Sequence, residues 1–153
     1  MSVYNEAIAF TRAILGARVD RATATLPQTT AGALFTVSGG RVAITSIVGE
    51  VTTVIQTQAN NTKLTANPTT GTSVDICAAL NISADEVGTL YGITGAFATA
   101  MGGVNAGALA GMLAPVIVNA GTIDLDCAAS NTGAVKWSLT YAPIDDGATI
   151  VAA

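Results

Sequence analysis

Residues 121–141 read GTIDLDCAASNTGAVKWSLTY, and their alternation decides the fold class. Ile123, Leu125 and Cys127 alternate with Asp124 and Asp126, the period-two pattern of a strand with one dry and one wet face. The next run repeats the pattern with larger groups: Val135, Trp137, Leu139 and Tyr141 stand against Lys136, Ser138 and Thr140. Trp137 and Tyr141 share the phase of Val135 and Leu139, so a core role is expected for both rather than a sugar-stacking platform. Residues 128–133 join the runs through Ser130-Asn131-Thr132-Gly133, turn chemistry that fits a hairpin loop, so the two strands are expected to pair directly.

Strand signals continue upstream. Residues 41–58, RVAITSIVGEVTTVIQTQ, are rich in β-branched side chains that stiffen extended chain. Val42 and Ile44 lie in one phase and Val51, Thr53 and Ile55 in the other, which predicts a bulge or bend near Gly49. Residues 34–37 form a short strand, and Ser38-Gly39-Gly40 is a turn with the backbone freedom of a hairpin. Asn60-Asn61 and the turn at 67–71 bracket a strand at 63–66. Residues 73–80 and 86–93 read as two more strands, with a single helical turn over 83–86 between them. Many short strands separated by turn signals predict a mostly β chain, a β-sandwich or jelly-roll-like domain.

The first residues differ. Over 2–15, Val3, Ala7, Phe10 and Ile14 recur at helical spacing, and Tyr4, Ile8 and Leu15 widen the apolar stripe. Ser2 and Gly16 are suitable caps. A helix this short is marginal alone and needs a surface to lie on. The expected organisation is therefore a helical arm and polar hinge over 1–20, the hinge being 16–20, followed by a β-sandwich domain over 21–153. Val3, Tyr4, Ile8, Phe10, Ile14 and Leu15 are the expected partner-binding residues, buried only on assembly.

Composition narrows the function. Half of the 153 residues are apolar and a tenth charged, against roughly a quarter charged in an average soluble domain. Thr, Ser, Asn and Gly must build the surface, which suits contact with other protein surfaces. The net charge is −4 and the six cations are scattered, so no nucleic-acid partner is expected. The N-terminal stretch opens without Lys or Arg and contains Glu6 and Arg12, so it does not read as a secretory signal, and synthesis in the cytoplasm is expected. Cys77 and Cys127 are expected as buried, reduced thiols, with a single bridge between them the alternative.

Residues 87–123 carry no charge, and Gly103, Gly107 and Gly111 form a small-residue pattern familiar from membrane helices. Positive flanks and aromatic belts are missing, so no membrane span is expected; residues 96–114 read instead as a neutral loop draped over a neighbouring subunit, with a helix over 104–113 the other option. The chain has no histidine, which removes the commonest general base and imidazole metal ligand. Asp85-Glu86, Asp124 with Asp126, and Asp145-Asp146 are the available carboxylate pairs, and a solvated strand face is the expected setting of Asp124 and Asp126. No catalytic, cofactor-binding or metal-binding residues are expected, and no cofactor.

Residues 34–82, LFTVSGGRVAITSIVGEVTTVIQTQANNTKLTANPTTGTSVDICAALNI, continued by DEVGTLYGITG (85–95) and by GTIDLDCAASNTGAVKWSLTYAPIDDGATI (121–150), resemble small Thr/Gly/Asn-rich proteins encoded among the virion structural genes of tailed bacteriophages. The likeness implies a capsid decoration or cement protein, a β-rich body, commonly trimeric, that clamps neighbouring major capsid protein subunits on the outside of the shell. It implies a place in the virion after assembly in the host cytoplasm, and it brings no catalytic residues. A tail or head-fibre component that meets the host surface, and a carbohydrate-binding β-sandwich module, are the alternative expectations; a small carboxylate hydrolase is a remote third.

Overall fold

A computed structural model of the chain describes Val3, residues 5–7 and residues 16–153. The described chain is mostly β and forms two six-stranded antiparallel sheets. The first holds β1 (Ala17–Thr25), β3 (Val42–Thr53), β7 (Leu90–Gly92), β8 (Gly102–Val104), β9 (Val116–Val118) and β11 (Ala134–Pro143). Its order is β1-β11-β3-β7-β8, with β9 on the first residues of β3. The second holds β2 (Ala31–Ser38), β4 (Asn61–Pro68), β5 (Val74–Asp75), β6 (Leu80–Asn81), β10 (Gly121–Cys127) and β12 (Thr149–Ala152), ordered β12-β2-β10-β4-β5 with β6 also on β4. Apolar residues of both sheets, among them Phe35, Ile44, Leu64, Ile123 and Leu139, close one core.

The alternation read from residues 121–141 holds on β11: Val135, Trp137, Leu139 and Tyr141 are buried while Lys136 is exposed. The expected hairpin does not form. β10 pairs with β2 and β4, and β11 pairs with β1 and β3, so residues 128–133 pass from one sheet to the other. The same correction applies at Ser38-Gly39-Gly40. Gly39 and Gly40 do adopt positive φ (79° and 139°), yet β2 and β3 lie in different sheets. Turn chemistry specifies that the chain reverses; strands with one apolar face meet that demand equally well side by side or across a core.

The phase change in β3 is real but displaced. Against β11, Thr140 pairs with Ser46 and Tyr141 with Ile44, so Thr45 is the extra residue, and a second irregularity leaves Thr52 unmatched. Val42 and Ile44 are buried before the step, and Ile47 and Val51 after it. Gly49 is instead a regular pair position, opposite Trp137 on β11 and Tyr91 on β7. A Cβ at Gly49 would lie 2.9 Å from three indole carbons. The two rings meet across that glycine, stacked with centroids 6.3 Å apart and planes at 25°. The Tyr91 hydroxyl donates to Asp85 Oδ2 at 2.5 Å, and burial followed by this carboxylate contact pushes its pKa far above the ordinary phenol value.

Other expectations shift. The hinge expected at 16–20 is strand from Ala17 onward: β1 runs along β11, with Ala17 and Val19 packed on the core. Arg18 and Asp20, on the outward phase, disguise it as a polar linker. Gly16 makes the entry, at φ 83°, where a Cβ would sit 2.5 Å from the Tyr141 carbonyl oxygen. The helix expected over 2–15 lies outside the described residues apart from Val3, Asn5, Glu6 and Ala7, all exposed. The strand expected over 73–80 is reduced to β5 and the start of β6, because Cys77 Sγ accepts the Leu64 N–H (3.3 Å) and Ala78 bridges in parallel to Ala100. The expected helical turn at 83–86 is a non-helical turn with Ala84 at φ 62°. Of 86–93 only β7 is strand.

The segment 96–114 contains β8 and then returns over its own first sheet. Leu109 packs on Gly92, where a Cβ would lie 2.7 Å from Leu109 Cδ2, and residues 107–112 lie beside Ser46, Val48 and Leu90. Its first role is thus to cover its own sheet.

Two outcomes test this packing. Gly49→Ala is expected to lose about 1–3 kcal/mol in urea unfolding, the usual cost of overpacking a rigid core contact. Trp137→Ala is expected to lose about 3–5 kcal/mol, and the folded protein should show blue-shifted tryptophan emission; emission at the fully solvated maximum would contradict the burial of Trp137.

Candidate functional site

Asp124 is buried, contrary to the wet face expected for it, because its short side chain sits on the central strand β10 between Ala33 and Thr65. Its Oδ2 accepts from Asn67 Nδ2 at 3.4 Å and its Oδ1 has no partner. Asp126 turns toward Lys63 (3.9 Å), which binds Asp75 at 2.7 Å. Lys63 thus lies between Asp75 and Asp126, and its hydrogen bond holds the Asp75 carboxyl below its ordinary range. Among the described residues no group of three or more Cys, Asp or Glu is placed to hold a metal.

Three further ion pairs close on neighbours. Lys136 meets Glu50 at 3.0 Å and Arg18 meets Asp20 at 2.8 Å. Arg41 grips Asp145 with Nε (2.9 Å), Nη2 (2.7 Å) and its backbone N–H (2.7 Å). These side-chain and backbone hydrogen bonds hold the Asp145 carboxyl down to about 2. Cys77 and Cys127 are free and buried, and burial pushes both thiols up.

One end of the body is fixed by buried amides. Asn131 Nδ2 donates to the carbonyls of Gln56 (3.2 Å) and Gln58 (2.8 Å), while the Asn131 carbonyl accepts from Gln28 Nε2 at 3.1 Å. Asn60 brackets Ala129, donating to its carbonyl and accepting from its N–H, each at 3.1 Å. Both asparagines stand in stretches with turn chemistry; as buried side chains they replace the backbone partners that a sheet crossing loses.

Beside that end, a cleft of about 310 Å³ opens between the edge of β1 and the start of β2. Leu26, Leu34, Leu125, Val135 and Trp137 line it, together with Arg21. Among the described residues β1 has no strand partner but β11, and β12 follows β2 only as far as Phe35, with the Ala153 N–H on the Leu34 carbonyl at 3.0 Å. The two sheet edges therefore leave this corner uncovered. Arg21 shares the inward phase of Ala17 and Val19, and its Nε is buried without a hydrogen-bond partner. Its signal in the sequence was a single cation on the apolar phase of an unrecognised strand.

Of the expected partner-binding residues, Val3 is 81% exposed; Tyr4, Ile8, Phe10, Ile14 and Leu15 lie outside the described residues. On the body, the Leu113 N–H bonds the Thr94 carbonyl at 2.9 Å and draws together the turns that carry Phe97 and Leu113, both exposed.

The Arg41–Asp145 clamp gives a pH signature. Because the folded Asp145 pKa is lowered to about 2, its contribution is present above the unfolded value of about 3.9 and is lost as pH falls through about 2. The urea midpoint of the parent chain should therefore exceed that of Asp145→Asn by a constant margin above about pH 5, and the margin should shrink toward zero near pH 2. A margin independent of pH would show that the clamp is not electrostatic.

Against known proteins, no family model, no curated protein and no solved structure matches this chain.

Proposed function

We propose that this chain is a non-enzymatic virion structural protein, a capsid decoration or cement protein that binds and stabilises the major-capsid lattice as a homo-oligomer, with a trimer favoured. The observation that carries the reading is the character of the body's surface. Its ion pairs close within the molecule, between Arg18 and Asp20, Arg41 and Asp145, Lys63 and Asp75, and Lys136 and Glu50. Between them Phe97, Leu113, Ile117, Val54 and Val87 remain exposed. A neutral surface with standing apolar side chains suits broad, shape-determined contact with other subunits.

In this reading the two sheets form a jelly-roll-like β-sandwich, and the arm preceding it is residues 1–15, shortened from 1–20 because β1 begins at Ala17. Val3, exposed in the free chain, is among the apolar residues the arm would bury on the lattice.

Purified protein mixed with undecorated shells of the phage that encodes it should sediment with them at a saturating stoichiometry, and the free protein should size as a trimer. Deleting residues 2–15, which keeps the Gly16 entry to β1, should leave the melting temperature within about 2 °C and cut shell incorporation about tenfold or more. Retention on a glycan resin, released by free sugar, together with no association with shells would replace this reading with the carbohydrate-binding one. Association with tails or fibres alone would replace it with the host-contact one.

A further inference from the structure

We propose that the corner cleft between β1 and β2 is a binding site for an amphipathic carboxylate, a ligand with one carboxylate and a short aliphatic body. This site does not depend on the lattice role. Three observations meet there. The space is about 310 Å³, in the size range of small-ligand sites. Its lining joins apolar side chains of both sheets, Leu34 and Leu125 from one and Val135 and Trp137 from the other, with the polar Thr25 and Gln28. Its one cationic lining residue is Arg21, whose Nε is buried with no acceptor and which has no ion-pair partner among the described residues.

A buried donor left unpaired is costly, and an arginine fork is shaped for the two oxygens of a carboxylate. The other described cations on the body already hold acidic partners, so Arg21 stands apart as the cation free to take an outside anion. An alcohol of the same shape fills the apolar volume but brings no charge to the guanidinium; an alkylamine brings the wrong one. The same chemistry is offered by a free aliphatic carboxylate or by a glutamate side chain of a partner polypeptide.

Trp137 is the chain's single tryptophan and lines the cleft, so its emission reports occupancy directly. Octanoate, below its micelle concentration, is titrated beside octanol, octylamine and the peptide acetyl-Ala-Glu-Val-amide, and the Arg21 Nε–H signal is followed by NMR. A saturable change in Trp137 emission with octanoate, at least tenfold weaker for octanol and absent for octylamine, with a shift of the Arg21 Nε–H, is the expected result. Saturation by the peptide but not by octanoate places the carboxylate on a partner chain. Arg21→Gln should weaken binding at least tenfold. Ala24→Leu, which fills the cleft from its lining and keeps the arginine, should block it with the melting temperature retained. Equal affinity for octanol and octanoate, undiminished binding to Arg21→Gln, or no saturable binding by either carboxylate would overturn the proposal.

Discussion

The structure depends on the absence of one side chain. Gly49 stands at the middle of β3, the strand between β11 and β7, and the space its missing Cβ leaves is taken by Trp137 from one neighbour and Tyr91 from the other. The two rings stack there and carry the largest apolar surfaces in that part of the core. Around them the other contacts fall into place. Tyr91 reaches Asp85 and ties the 82–89 turns to the sheet, and Gly103 leaves room on β8 for Leu80, whose Cδ2 would lie 2.8 Å from a Cβ there. A stiff aromatic pair on a glycine fixes strand spacing and register together, because a one-residue slip would bring a Cβ or the wrong face under the indole.

Local alternation made the strands legible in the sequence and left their partners hidden. Val135, Trp137, Leu139 and Tyr141 announced β11, and Val42 with Ile44 announced the start of β3, because burial on one face imposes period two whatever the neighbour is. The 128–133 loop carried the same Ser, Asn and Gly as a hairpin, since reversing direction needs the same backbone freedom in either case. In the crossing that forms, Asn131 is buried and bonded to the carbonyls of Gln56 and Gln58, and no residue type signals that in advance. The candidate site was illegible for a related reason. Arg21 becomes conspicuous only once β1 is known to be a strand and Leu26, Leu34 and Leu125 are seen to converge beside it.

The charged residues follow a consistent logic. A chain with so few of them spends most in short-range pairs across adjacent strands or turns, which fix surface geometry without projecting a long-range field. Exposed ion pairs of this type add little to stability individually. Their effect is to leave the intervening Thr, Ala and branched apolar positions electrostatically quiet. The described surface thus has two characters: broad faces of low charge, and one corner where the Arg21 Nε is buried without a partner.

The sheet crossings bear on how the molecule comes apart. β1 to β4 alternate strictly between the two sheets, and so do β9 to β12, so neither sheet is a continuous piece of chain. A hairpin protein can nucleate on local turns and fray from an edge; a chain laced back and forth across its own core has few such half-measures. Its pairings are distant in sequence, which places it among slow folders, and opening one sheet drags strands out of the other. Escape from the native state then has to be nearly global, and a protease or a shearing force meets a barrier set by the whole core rather than by its weakest strand.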